Sequence, residues 1–242
     1  ETSSCIWIEG MNMNFKKSDE FIPFSPPWIG KDEEDEVLDS LRSGWITTGP
    51  KVKEFERRVA EYVNVKHAAA MYSCTDAMLL ALKVLGVDKG DEIITTTFTF
   101  ASTGHVICHH GAKPVFVDVD PETFNINPEL IGEKITPKTK GIIPVHYGGQ
   151  SCDMDPIMDI ASKHNLFVME DAAHAIGTKY KGRKIGSIGD ITCFSYYATK
   201  NLSTAEGGMA VTNNEEWSNR MRILSMYGIS DAREIWHSRY SK

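Results

Sequence analysis

Asp171 follows the apolar run LFVME, and Lys200 follows CFSYYAT 29 residues later, in a small-residue turn rather than on a solvated helix face. A carboxylate at the end of an apolar run is expensive to bury without a cationic partner. Ser73-Cys74-Thr75 stands where a strand pattern gives way to a helical one, so free backbone N–H groups and hydroxyls there can cradle a phosphate. Phe100, in TTTFTFAST, offers an aromatic face. Taken singly, each has a plainer explanation as an N-cap, a surface ion pair or an exposed lysine. Together they are the parts that a pyridoxal phosphate site needs. The lysine forms a Schiff base and then moves protons, the carboxylate keeps the pyridine nitrogen protonated, and the aromatic ring stacks on the cofactor.

Those residues need a frame that brings them to one place. Short apolar runs at 67–72, 92–97, 114–119, 141–145, 166–170 and 191–196 read as strands. Helical patterns lie at 75–85, 101–110, 128–135 and 156–164, preceded by capped helices at 32–43 and 50–63. Runs such as IIPV and LFVM are apolar on both faces, which suits strands inside a mostly parallel sheet sandwiched by helices. Ligands in such α/β folds sit beyond the carboxyl ends of the strands. The polar, small-residue segments after these strands should therefore share one rim.

Composition narrows the function classes. The chain has 242 residues, 33 Asp plus Glu against 26 Lys plus Arg, and a net charge of −7, which disfavours a nucleic-acid partner. No apolar run reaches the roughly 20 residues of a membrane span. Five scattered cysteines without a CxxC pair fit a reduced, cytoplasmic protein. GxGxxG after a strand, GxxxxGK[ST], HExxH and GxSxG are all absent. Cys108-His109-His110 lacks a second ligand group at metal spacing, so no metal is expected. Segment 1–14 reads as a leader or appended remnant, and 15–228 shows no internal domain boundary.

SGWITTGP, DEIITTTFTFAST, KPVFVDVD, IIPVHYGG, EDAAHAIGTKYKGRKIGSIGD and FSYYATKNLSTAEGGM occur in unbroken order between Phe21 and Gly228. They resemble the DegT-type family of pyridoxal-phosphate sugar-nucleotide aminotransferases, of aspartate-aminotransferase fold. FIPFSPPWIG, SGWITTGPK, IIPVHY and EDAAHA most resemble its UDP-4-amino-4-deoxy-L-arabinose oxoglutarate aminotransferase branch. The resemblance implies a nucleotide-linked 4-keto sugar aminated with glutamate as donor, in surface-polysaccharide or lipopolysaccharide biosynthesis. It also implies a cytoplasmic homodimer with shared active sites. Lys200 then resembles the Schiff-base lysine, Asp171 the pyridine partner and Phe100 the stacking ring. Thr75, Asp76 and Ser195 match phosphate contacts, His174 sits beside the cofactor's phenolic oxygen, and Thr47 and Thr48 resemble a substrate loop.

Asp76 departs from the pattern, because a carboxylate near a phosphate repels it unless only the backbone N–H binds. Family members continue into a smaller C-terminal domain, of which 229–242 would be the truncated start. Two other readings follow from the same resemblance. One is a non-catalytic or regulatory cofactor-binding relative. The other is a sugar dehydratase, which the lysine at position 200 disfavours because those relatives carry histidine there.

Overall fold

The computed structural model describes residues 20–23 and 25–229. Segment 1–14 and, apart from Ile229, segment 229–242 lie outside the described residues. Two helices, α1 (Lys31–Ser43) and α2 (Pro50–Val63), precede a seven-stranded sheet. Its strands in chain order are β1 (His67–Met71), β2 (Glu92–Thr96), β3 (Lys113–Val117), β4 (Thr139–Ile143), β5 (Phe167–Asp171), β8 (Ile191–Ser195) and β9 (Gly208–Thr212). A two-stranded ribbon, β6 (Lys179–Tyr180) and β7 (Arg183–Lys184), interrupts the series. The spatial order is β1-β9-β8-β5-β4-β2-β3. Every pairing from β8 to β3 is parallel, whereas β9 runs antiparallel to both β8 and β1.

Helices cover both faces because the inner strands bury both. Ile142 and Val168 feed one core with Val59, Ala60 and Val63 of α2 and with Ile157 of α5 (Met154–His164). Their neighbours Ile143 and Met169 feed the other. That second core is covered by α3 (Cys74–Val84), α4 (Ser102–His109) and α6 (Glu215–Ser225). Each fully buried Ile, Val or Met contributes about 1.5–3 kcal/mol through apolar area removed from water. The alternation also sorts polar side chains, sending Asp171 to the α3–α4 face and Glu170 to the opposite one.

The elements differ from the sequence reading in several places. The stretch 128–135 forms two 3-10 turns, Pro128–Leu130 and Gly132–Lys134, rather than one helix, with Gly132, a poor helix former, at the break. β9 and α6 were not anticipated. α6 is tied down by Arg222, whose guanidinium grips both oxygens of the buried Glu56 at 2.7 Å and donates to Ala68 O. On α1, Val37, Leu38 and Leu41 are exposed. Among the described residues, no helix is long and apolar enough to cross a membrane.

Candidate active site

The cradle begins at the start of α3. Ser73 is its N-cap, and its hydroxyl accepts from Asp76 N at 3.0 Å. The carboxylate of Asp76 folds back onto Tyr72 N (3.3 Å), so both polar ends of Asp76 are engaged locally. Cys74 and Thr75 keep first-turn N–H groups that helix geometry leaves without an i−4 acceptor. An anion at this helix end therefore meets Thr75 and Cys74, whereas the Asp76 N–H is already taken. Burial and the nearby Asp171 charge push the Cys74 thiol well above its ordinary range, so it is not a reactive thiolate despite its place at a helix start.

Gly208 makes the cradle possible. A Cβ there would stand 2.2 Å from Ser73 C and 2.5 Å from Cys74 N, an overlap with backbone rather than with a movable side chain. β9 can thus begin directly under the turn, and its register partner Ser195, 7% exposed, lies alongside. Gly208→Ala is expected to lower stability by about 2–3 kcal/mol, as overpacking does. Urea unfolding checks this, and an unchanged midpoint would refute the contact.

Asp171 is 4% exposed, and its oxygens are met by Thr103 Oγ1 (2.8 Å) and Ala173 N (3.2 Å) rather than by a cation. Lys200 Nζ lies 2.6 Å from His174 Nε2. Desolvation holds the Lys200 ammonium below its ordinary range, against the opposing effects of Cys74 and Asp171. Desolvation and the Lys200 charge hold His174 low as well. The imidazole is thus the acceptor and the ammonium the donor. Because Lys200 is depressed, a larger fraction is free amine at any given pH. Its rate of reductive alkylation by a small aldehyde should titrate with a midpoint below the usual lysine value of about 10.4. A midpoint at or above that value would contradict the assigned environment.

The loop carrying Lys200 is pinned by Ser25 Oγ to Thr199 O (2.9 Å) and by Asn201 Nδ2 to Ile176 O (3.0 Å). Phe100 lies on the neighbouring rim loop with its ring 79% exposed, and its carbonyl accepts from Thr103 N (3.1 Å). Thr47 and Thr48 sit in the α1–α2 turn, where Trp45 Nε1 donates to Thr48 O at 3.1 Å.

Beneath the rim, on the other face, the sequence reading missed a buried polar network. Glu170 accepts from Thr192 Oγ1 (2.7 Å) and Gly189 N (2.8 Å) and meets His146 Nε2 at 2.9 Å. Burial opposes its charge, but His146 and the other donors outweigh burial and hold the carboxyl below its usual range. His146 Nδ1 accepts from Cys152 N (3.1 Å), so the ring proton sits on Nε2 and points at Glu170. The network joins β5 and β8 to the segment after β4, and so fixes the ends of the strands that carry Asp171 and Ser195.

The sequence profile of the DegT/DnrJ/EryC1/StrS aminotransferase family matches residues 27–241. The chain belongs to that family. Spore coat polysaccharide biosynthesis protein SpsC of Bacillus subtilis is 54% identical over 226 residues, which are 93% of this chain and 57% of SpsC. The putative sugar aminotransferase Spr1654 of Streptococcus pneumoniae, in its PLP form, matches with a TM-score of 0.84 at 42% identity, over 86% of this chain and 59% of that one. DesI, solved in the presence of its TDP-sugar product, matches with a TM-score of 0.82 at 35% identity, over 89% and 55%. The chain thus spans somewhat more than half the length of these DegT/DnrJ/EryC1/StrS relatives, and its α/β fold is theirs.

Proposed function

We propose that the protein is a pyridoxal-phosphate-dependent aminotransferase that converts a nucleotide-linked 4-keto sugar to the 4-amino sugar, with glutamate as donor. The observation that carries this is a buried Asp171 carboxylate, with no cation among the described residues hydrogen-bonded to either oxygen, on the same strand-end rim as a half-buried amine. A pyridinium nitrogen would supply the missing positive charge, and the N-terminus of α3 would take the phosphate. The bound cofactor supplies an electron sink for the carbon that loses and gains a proton. Lys200 would hold it through its amine and would carry that proton. His174, 2.6 Å from Nζ, would keep that amine in place and is assigned by the family resemblance to the phenolic oxygen. Thr75, the Cys74 N–H and Ser195 would hold the phosphate, and Phe100 would cover one ring face.

Membership of a sugar-aminotransferase family, the TDP-sugar product seen with DesI and the polysaccharide role printed for SpsC support the substrate class. Thr47 and Thr48 belong to the substrate loop in this reading, in a cytoplasmic homodimer whose sites are shared. The test is a transamination assay of the intact, cofactor-loaded protein with glutamate and a panel of UDP- and dTDP-linked 4-keto sugars, including the UDP-4-keto pentose of the arabinose branch. Amination of at least one is expected. Cofactor bound without turnover on any of them would favour a non-catalytic relative.

A further inference from the structure

Thr103 is fully buried on α4, yet its hydroxyl does not turn back onto the preceding helical turn, as threonine commonly does in helices. It reaches across to β5 and donates to Asp171 Oδ2 at 2.8 Å, a contact between residues 68 positions apart. Thr99 Oγ1, in the loop between β2 and α4, lies 2.8 Å from Thr103 Oγ1. The chemistry sets the direction of this chain. An ionised carboxylate only accepts, so the single Thr103 proton belongs to Asp171, and Thr99 must donate to Thr103. Each bond polarises the next. Ala173 N holds the other oxygen, Oδ1, at 3.2 Å, and together the two contacts fix the plane of the carboxylate.

We propose that Thr103, backed by Thr99, is a positioning residue that aims Asp171 at the cofactor's ring nitrogen. The inference rests on the cofactor reading above. A carboxylate with one oxygen released can rotate about its own bond, and its contact with a ring nitrogen loosens. A ring nitrogen less firmly protonated withdraws less charge, so the proton on the Lys200–cofactor linkage is held more tightly.

The experiment compares intact wild-type protein with Thr103→Val, Thr103→Ser and Thr99→Val. It reads the affinity for pyridoxal phosphate, the pH midpoint of the visible band of the bound cofactor, and thermal unfolding without cofactor. Thr103→Val is expected to weaken cofactor binding roughly 10- to 100-fold, the loss of one hydrogen bond to a charged group. It should also move the midpoint upward. Thr103→Ser should restore both to near wild type, and Thr99→Val, which leaves Asp171 untouched, should shift both in the same direction by less. Wild-type midpoint and affinity in Thr103→Val would overturn the positioning role, as would failure of serine to rescue it. Should Thr103→Val not fold, an unshifted Thr99→Val would overturn it equally. Absence of cofactor binding by the wild-type protein would overturn the underlying reading instead.

Discussion

Lys200→Ala is expected to eliminate the cofactor label that borohydride fixes on the wild-type protein and to lower transamination by at least ~10³-fold, within the range of a lost acid–base catalyst. The expectation follows from where the amine sits. Nζ is half-buried, held below its ordinary range by desolvation and 2.6 Å from His174 Nε2, so at any given pH more of it is free amine than of an exposed lysine. The loop around it is held by backbone and neighbouring side chains, including Lys200 N to Tyr197 O at 2.9 Å, none of which involves Nζ. The variant should therefore fold, with stability within about 0.5 kcal/mol of wild type, as is usual for partly exposed positions. Cofactor should still bind, held by phosphate and ring contacts, but dialysis should remove it. Mass spectrometry after reduction gives the decisive reading: a label surviving in Lys200→Ala would place the attachment elsewhere.

Asp171→Asn keeps shape and removes charge. Its amide oxygen can still accept from Ala173 N while its NH2 donates to the Thr103 hydroxyl, so the α4–β5 contact survives with its direction reversed, while the attraction for a positive ring nitrogen is lost. A fall in kcat of about 10²–10³-fold is expected, comparable to the removal of one preorganised electrostatic partner in a dry site. The visible band of the bound cofactor should titrate higher than in wild type, for the reason given for Thr103→Val. The two variants separate charge from aim, because asparagine is placed as the carboxylate was and Thr103→Val leaves the charge in place. Near-normal turnover by Asp171→Asn would remove the carboxylate from the chemistry.

The frame was legible wherever chemistry and pattern coincide. LFVME and IIPV, apolar on both faces, announced inner parallel strands, and Asp171 and Lys200 are brought to one rim, as their positions after strands imply. What stayed hidden has local causes. β9 reads GMAVT after Gly207, too short and small to stand out. Only the close approach of Gly208 to Ser73 explains why no side chain is there. Thr99 and Thr103 stand four positions apart on either side of the start of α4, and nothing in the sequence says that the second hydroxyl crosses to a strand 68 positions away. The pairing of His146 with Glu170 is likewise non-local. Asp76 looked like a liability beside a phosphate; its capping contact with Tyr72 N depends on a backbone direction that composition does not encode.

The reversed direction of β9 has a further consequence. Because β9 returns beside β8, the segment between them leaves and re-enters the sheet on the same edge, closed at its base by Tyr196 N to Gly207 O (2.9 Å) and Thr204 N to Tyr196 O (2.8 Å). A parallel successor would have carried the chain away through a crossover and let the segment drift. Instead the amine hangs from a segment clamped at both ends and is confined to a small volume above the rim. That confinement sets its effective molarity toward anything bound there, a quantity that reaches about 10⁵–10⁸ M for well-oriented groups, through entropy lost once, during folding.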